Sequence, residues 1–373
     1  MRITRIQLKN FRCYAEVELK PREGVTALFG DNAQGKTSLL EAVALCCTGR
    51  SHRTPRDREL LRISSDKGNV YVEAERADGP HEVEIILSAA ERKVIKVNGS
   101  IISRSGELMG HVNGVMFAPE DLRLVKDGPA ERRRFADMEL SQISPMYYYA
   151  LQRYNRALDQ RNHLLREMTG KPSLRPTLTE WDGQLAENGA EIMRRRRGFL
   201  EKIGREAAAN HYEISGGRED FSVRYRPSVD SDADGERLVE DISAALFSAR
   251  ETDARRMTTT VGPHRDDVEL LLSGLDARVF ASQGQQRTAA LSLKLSELTV
   301  MKDETGEWPV LMLDDVMSEL DPTRRALLLN RLAKVQTFIT CTDPKDLCGA
   351  EAGFAYKVIN GSLISTDWPA ETG

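Results

Sequence analysis

The sequence has few of the features that cross-link, metallate or anchor a protein. Its 373 residues include five cysteines, and an odd number without C-x-x-C or metal-ligand spacing argues against a disulfide framework and a zinc site. No charge-free apolar run approaches the roughly 18–20 residues of a membrane-spanning helix. The opening residues, MRITRIQLKN, carry no apolar stretch typical of a signal peptide. These absences predict a cytoplasmic protein with reduced thiols and no membrane contact.

A large excess of either charge is also lacking. Lysine and arginine number 53 against 57 aspartates and glutamates, a formal net charge of −4, so overall charge cannot drive binding to nucleic acid. Positive charge is concentrated locally, because residues 121–210 hold 17 basic and 13 acidic residues. The densest arginine clusters are at 132–134 and 194–197. Any DNA-binding surface is therefore predicted on this segment.

Hydrophobic periodicity predicts an α/β domain whose two halves are far apart in the chain. In the first half a short apolar strand, Val25–Phe29, leads into a glycine-containing loop, and apolar residues recur at helical spacing after Lys36. In the second half, residues 283–298 are predicted to form a helix and 310–313 a buried strand that ends at two aspartates. A further helix is predicted at 323–332.

The middle of the chain has a different character. Long charged helices are predicted at 146–168 and 179–210, with a break at 170–172, and together they form a helical arm. Before the arm, three alternating strands and the hairpin signal Asn98-Gly99 predict an antiparallel accessory sheet. The predicted fold class is α/β, a P-loop head with this accessory sheet and an inserted helical arm domain. The predicted bounds are 1–118 plus 258–373 for the head and 119–257 for the arm.

A phosphate-binding motif lies between the first predicted strand and helix. It matches G-x-x-x-x-G-K-[ST], whose glycines let backbone N–H groups curl around phosphates at a helix N-terminus. Lys36 supplies a positive charge to the β- and γ-phosphates, and the Thr37 hydroxyl is a ligand for Mg²⁺. A nucleotide with Mg²⁺ is therefore predicted here. The predicted binding residues are Gly30, Asp31, Asn32, Ala33, Gln34, Gly35, Lys36 and Thr37.

Two carboxylates follow the apolar strand at 310–313. In nucleotide hydrolases a carboxylate at such a strand end holds magnesium beside the phosphate loop, and Asp314 is predicted to be that metal residue. Asp315 is one position further, so its side chain points to the other side of the strand end. There it is predicted to polarise the attacking water as the catalytic base.

A third motif begins the predicted helix at 283–298. Ser282 is placed to cap this helix, and by itself that is only a capped helix. Together with the two preceding motifs, the segment resembles the signature loop of ABC-type ATPases, which reaches the γ-phosphate of ATP held by a second subunit. Ser318-Glu-Leu-Asp321 resembles the D-loop of the same families. The resemblance implies that Ser282, Gly284 and Gln285 contact ATP across a homodimer that forms on ATP.

The whole chain resembles one family within the SMC-like branch of these ATPases, because the inserted material is a charged helical arm rather than a membrane-coupling domain. That family is the RecF family. The resemblance rests on segments spread over nearly the full length: Asn10-Phe11-Arg12-Cys-Tyr14, Gly49-Arg-Ser-His52-Arg53-Thr54, Phe117-Ala-Pro119-Glu-Asp121-Leu122, Gln160-Arg-Asn162 and Gly262-Pro-His264-Arg-Asp266-Asp267.

The resemblance implies an ATP-dependent DNA-binding protein of recombinational repair and replication-gap processing. It implies binding to single-stranded or gapped DNA, loading of RecA together with RecR and RecO, and support of SOS induction. Arg12, which follows a short strand predicted at 2–8, is a further candidate nucleotide contact. Asp315 stands where transporter ATPases carry a glutamate, and no switch histidine occurs in Thr340-Cys-Thr-Asp343. We therefore expect slow ATP hydrolysis that acts as a switch, and the resemblance implies that DNA stimulates it.

One alternative stays open from the motifs: a transporter-type or SMC-like chromosome-organising ATPase, in which the arm is a coupling surface or a dimerising coil. A chromosome-organising arm needs hundreds of heptad residues, whereas residues 121–210 allow a hairpin of about 40–50 Å at 1.5 Å per residue. The sequence does not predict which DNA structure is preferred, which residues contact DNA, where RecR docks, or what His52 and His264 do.

Overall fold

The computed structural model describes residues 1–168, 176–321, 324–325, 328–329, 334–343 and 353–368. These residues form two compact units. Unit 1 comprises Met1–Leu122, Glu213–Gly216 and the described part of Ala290–Gly373, and unit 2 comprises Arg123–Tyr212 and Gly217–Ala289. The predicted break at 170–172, most of the predicted helix at 323–332 and Cys348 lie outside the described residues.

Both strands and helices occur within the described ranges. The strands are β1 (Arg2–Phe11), β2 (Tyr14–Leu19), β3 (Val25–Phe29), β4 (Lys67–Arg76), β5 (Gly79–Ser88), β6 (Val94–Val97), β7 (Ser100–Ile101), β8 (Gly114–Phe117), β9 (Phe221–Arg226), β10 (Asp267–Leu272), β11 (Leu275–Asp276), β12 (Val310–Asp314), β13 (Thr337–Cys341), β14 (Phe354–Ile359) and β15 (Ser362–Thr366). The helices are α1 (Lys36–Thr48), α2 (Arg123–Lys126), α3 (Pro129–Ile143), α4 (Pro145–Glu167), α5 (Leu178–Ser215), α6 (Gly235–Arg256), α7 (Ala277–Phe280) and α8 (Gln283–Thr305).

Unit 1 is built from two sheets around a central helix. One sheet is antiparallel, in the order β2-β1-β4-β5-β6-β7. The other has the order β15-β14-β3-β13-β12-β8 and is parallel except for β15. Helix α1 contacts strands of both sheets, and Leu39, Leu40 and Val43 on it are fully buried. A helix that is apolar around most of its circumference requires such enclosure.

The head predicted from the sequence is confirmed in its main elements. The β3 strand, the glycine loop and α1 occur in the predicted order, and β12 ends at Asp314. The hairpin signal is also confirmed, since Asn98 and Gly99 both have positive φ angles, 48° and 76°, as a type I′ turn between β6 and β7 requires. These elements of the head were therefore readable from local sequence patterns.

Unit 2 contains the two long predicted helices, α4 and α5, and a sheet that the sequence pattern did not predict. The sheet has the order β11-β10-β9, and its main ladder pairs Phe221 with Leu272 and Arg226 with Asp267. Because β9 and β10 are far apart in the chain, no turn signal connects them in the sequence. In β9, which reads FSVRYR, the charged residues obscure the alternation of apolar and polar side chains. Residues 258–289 belong to unit 2, so this unit extends beyond the predicted arm bounds.

Unit 2 has a fully buried arginine in its interior. Arg161 donates to Asp182 Oδ1 at 2.7 Å, to Asp253 Oδ2 at 2.7 Å and to Thr259 Oγ1 at 2.9 Å. A buried guanidinium is tolerated only when it is paired and hydrogen-bonded. These contacts therefore fix the positions of α4, α5 and α6 relative to one another. Among the described helices none has the length and apolarity to cross a bilayer.

Candidate nucleotide-binding site

The phosphate loop joins β3 to α1 through two glycines that no other residue could replace without strain. Gly30 and Gly35 have φ angles of 143° and 117°, which L side chains rarely adopt. A Cβ on Gly30 would lie 2.6 Å from the Val358 carbonyl oxygen, and one on Gly35 would lie 2.6 Å from Cys13 Sγ. The glycines thus allow the loop to curl closely past its neighbours before α1 begins.

Lys36 lies inside the curve of this loop. Its Nζ donates to the Gly30 carbonyl at 2.5 Å and to the Asp31 carbonyl at 2.9 Å, and the residue is only 6% exposed. A lysine at the first residue of a helix, folded back over the preceding loop, places its ammonium where phosphate oxygens are received. Its contact with the β- and γ-phosphates stays a prediction.

The predicted metal residues are in direct contact, although 277 residues separate them in the chain. Thr37 Oγ1 donates to Asp314 Oδ1 at 2.8 Å, and Thr340 Oγ1 donates to the same oxygen at 2.7 Å. The parallel order β3-β13-β12 brings the carboxyl ends of these strands to one edge of the sheet. Thr340 was missed from the sequence, although a polar residue near the end of the strand between β3 and β12 is a usable signal.

Asp315 has the backbone and burial of a functional residue. Its φ is 55°, a strained conformation for a residue other than glycine. Its N–H donates to Thr340 Oγ1 at 2.9 Å, and its carboxylate Oδ1 is buried without a partner among the described residues. A buried carboxylate oxygen without a hydrogen bond is costly, so a hydrogen-bond donor from a bound group would be stabilising at this position.

Arg12 makes a different contact from the predicted one. Its guanidinium makes two hydrogen bonds to the Glu41 carboxylate, at 2.9 and 2.7 Å, and a third to the Glu59 carbonyl at 2.8 Å. Burial acts to raise the pKa of Glu41, but hydrogen bonds from Arg12 and Ser51 outweigh it and lower that pKa below its ordinary value. The structure therefore shows Arg12 as the partner of a buried carboxylate on α1.

His52 is a half-buried histidine near this carboxylate. Its Nδ1 has no hydrogen-bond partner among the described residues. Burial lowers the pKa of His52, and the negative charges of Glu41 and Asp314 only partly oppose that shift. His52 is therefore neutral at physiological pH.

The signature segment, residues 282–287 in unit 2, begins α8 with a reciprocal capping box. Ser282 Oγ accepts from the Gln285 N–H at 3.3 Å, and Gln285 Oε1 accepts from the Ser282 N–H at 2.7 Å. Ser282 is exposed, and a Cβ built on Gly284 would have open space around it. The three predicted residues thus present one accessible helix N-terminus.

The arginine clusters of unit 2 are only partly on its surface. Arg132 makes a two-point contact with Asp267, at 2.9 and 3.1 Å. Arg196 is 2% exposed and donates to Asp137 at 2.7 Å and to Asp266 at 3.3 Å. Arginines at 134 and 194 are exposed. The cluster positions predicted as a DNA surface therefore include two arginines that are internal.

Residues of the segment from Gly262 to Asp267 make hydrogen bonds and packing contacts inside unit 2. Tyr154 Oη is hydrogen-bonded to His264 Nδ1 at 2.7 Å, and a Cβ on Gly262 would lie 2.3 Å from that phenolic oxygen. Burial lowers the pKa of His264 to about 4. Asp266 accepts from the Ser228 N–H at 2.7 Å. The contacts of this motif in the structure are thus structural.

Comparisons with known proteins agree with the fold and the loop. The family model described as an AAA domain matches residues 5–159. The SMC head domain of Pyrococcus furiosus, solved with an extended coiled coil and the C-terminal domain of ScpA, aligns over 98% of this chain and 96% of that chain, with a TM-score of 0.58 at 15% identity, a likeness of fold alone. Fold and site together define a P-loop ATPase of the ABC type.

Closer relatives match over almost the full length. The DNA replication and repair protein RecF of Acetivibrio thermocellus is 45% identical over 345 residues, 92% of this chain and 94% of the relative, and that of Bacillus mycoides is 44% identical over 346 residues, 92% of each chain. The chain belongs to the RecF family of DNA replication and repair proteins. A solved structure of the recombination mediator protein RecF with ATP, in the RecFOR pathway, aligns over 98% of this chain and 97% of that chain, with a TM-score of 0.91 at 38% identity.

Proposed function

We propose that this chain binds ATP and Mg²⁺ at the phosphate loop. The main observation behind this proposal is the contact between Thr37 and Asp314, two oxygen ligands that meet at the edge of the parallel sheet. Oxygen donors suit Mg²⁺, which when bound neutralises phosphate charge. Asp315 Oδ1, which has no hydrogen-bond partner in the described part of the chain, supports a site completed by an external group. Lys36 serves the β- and γ-phosphates, and the RecF structure with ATP supports the choice of nucleotide.

Hydrolysis at this site is slow and acts as a switch. Asp315 accepts a proton from the attacking water or orients it, and its backbone is tied to Thr340 by the N–H contact of 2.9 Å. An aspartate reaches less far than the glutamate of transporter ATPases, so water activation is weaker. DNA accelerates the reaction by increasing the population of the hydrolysis-competent, ATP-bound dimer.

Two copies close around ATP. The signature residues Ser282, Gly284 and Gln285 of one copy contact the ATP of the other, and the accessible N-terminus of α8 suits a phosphate group. Nucleotide is then part of the interface, so dimerisation depends on ATP.

The DNA-binding surface lies on unit 2. The chain acts in recombinational repair together with RecO and RecR. It loads RecA at single-strand gaps and supports SOS induction. The relatives' description as recombination mediators of the RecFOR pathway supports this role.

Helices α4 and α5, with 23 and 38 residues, are about 35 and 57 Å long at 1.5 Å per residue. They are too short for the arm of a chromosome-organising ATPase.

Sedimentation velocity tests the whole proposal in one experiment. The wild-type chain is run without nucleotide, with ADP, with ATP and Mg²⁺, and with ATP plus gapped duplex DNA. We expect a monomer in the first two conditions, a dimer with ATP, and a DNA-bound dimer in the last. A chain that stays monomeric with ATP, or that binds DNA equally without nucleotide, contradicts the switch.

A further inference from the structure

We propose that Glu219 is a positioning residue, which holds the signature segment in the form that meets the γ-phosphate. Gln285 Nε2 donates to Glu219 Oε1 at 2.9 Å, and Glu219 Oε2 lies 3.1 Å from His211 Nε2. The inference rests on the ATP-driven dimer proposed above. It adds a residue 66 positions before Gln285, outside every motif that the sequence indicated.

The carboxylate decides which way the Gln285 amide points. The capping box needs Gln285 Oε1 toward the Ser282 N–H, 2.7 Å away, but the two ends of a carboxamide are nearly identical in shape. An ionised carboxylate can only accept hydrogen bonds, so Glu219 selects the NH₂ end and leaves the oxygen for Ser282. Without Glu219, the amide is free to rotate and the capping box loses its fixed geometry.

The same arrangement orients the Ser282 hydroxyl. Its oxygen accepts from the Gln285 N–H, so its hydrogen points away from the helix. Within the described part of the chain this hydroxyl donates to no other residue, and Ser282 is exposed. The hydroxyl hydrogen is thereby available to an acceptor from outside, such as a phosphate oxygen of the partner's nucleotide.

Glu219 is itself held from the interior of unit 2. His211 on α5 is fully buried, and its ring stacks on Phe221 with centroids 5.0 Å apart and planes at 27°. Phe221 begins β9, which pairs with β10. The contact thus connects the signature segment to a helix and a sheet rather than to a loose loop, as precise positioning requires.

An exchange of the two side chains tests the hydrogen bond. We expect Glu219→Ala and Gln285→Glu each to weaken ATP-driven dimerisation about tenfold per loop, and about a hundredfold for a dimer with two loops, as removal of a hydrogen bond to a charged group implies. Gln285→Glu keeps the capping box but places two carboxylates together. The double variant E219Q/Q285E reverses the donor and acceptor and should recover most of the dimerisation.

The measurements separate this inference from the proposed function. Sedimentation velocity gives the dimerisation constant with ATP, and a fluorescent ATP analogue gives the affinity of the monomer, which should not change. Glu240→Ala, which removes an exposed carboxylate 67% accessible and paired with Arg237, is the matched control. Ser282→Arg is the benchmark for a signature segment that cannot meet the γ-phosphate.

Dimerisation of Glu219→Ala at the wild-type level, with Ser282→Arg defective, overturns the positioning role and leaves the proposed function intact. A double variant as defective as the single ones also overturns it, since the defect then comes from general damage to unit 2. If the wild-type chain itself does not dimerise with ATP, the proposed function fails.

Discussion

The two units differ in how they complete their buried charges. In unit 1 the charged groups at the phosphate loop have incomplete partners: Lys36 is satisfied by loop carbonyls alone, and one carboxylate oxygen of Asp315 has no partner among the described residues. In unit 2, Arg161 and Arg196 are each matched by two aspartates, although Arg161 Nη2 itself has no partner among the described residues. Because an opposite charge within the chain compensates a buried charge, the second pattern indicates a structural core and the first favours a ligand site.

The largest effect on stability is expected when a buried, paired charge of unit 2 is removed. Arg161→Ala leaves Asp253 buried without its cationic partner and Asp182 with Arg250 alone, and we expect the free energy of unfolding to fall by about 3–5 kcal/mol. Urea unfolding of the full chain measures this. Arg237→Ala, which removes an exposed ion pair, should cost less than about 1 kcal/mol. Equal destabilisation in the two variants contradicts a structural role for Arg161.

Removing the proposed base should affect turnover rather than binding. Asp315→Asn keeps Asp314 and Thr37 as ligands but cannot accept a proton, so we expect ATP hydrolysis to fall about a hundredfold or more. ATP affinity should stay near the wild-type value, and the ATP-bound dimer should accumulate. Phosphate release and sedimentation velocity measure the two effects. Unchanged turnover means that the base lies elsewhere.

Removing the ammonium of the phosphate loop should affect binding directly. Lys36→Ala deletes a charge-assisted hydrogen bond worth about 1.5–3 kcal/mol, so ATP affinity should fall at least tenfold. Equilibrium binding of a fluorescent ATP analogue measures this. Lys20→Ala, at a side chain 72% exposed, is the control and should bind normally. Wild-type affinity in Lys36→Ala refutes the nucleotide site.

The smallest expected effect distinguishes surface from internal arginines in unit 2. Each phosphate that the protein no longer neutralises lowers the slope of log K against log salt by about 0.9 on duplex DNA, and we expect that change for Arg134→Ala. Arg132→Ala should instead lower stability, because Asp267 is then without its two-point partner. DNA titrations at several salt concentrations, with thermal unfolding in parallel, measure both. An unchanged slope in Arg134→Ala moves the DNA surface away from this helix.

The sequence by itself determined the phosphate loop, the strand ending at Asp314 and the cap at Ser282. These features depend on backbone conformation and spacing within a few residues, which glycines, a lysine and a capping serine encode directly. The antiparallel sheet of unit 1 and the long helices of unit 2 could be predicted for the same reason, since the hydrophobic periodicity of their segments is local.

Only the tertiary structure decided which charges lie inside. Nothing in a run of arginines distinguishes the internal Arg196 from the exposed Arg194, because helical rotation separates them and their aspartate partners lie far away in the chain. The contact of Glu41 with Arg12, the role of Thr340 and the hydrogen bond from Gln285 to Glu219 are equally long-range. Burial and pairing depend on the packing of distant segments, which no local pattern records.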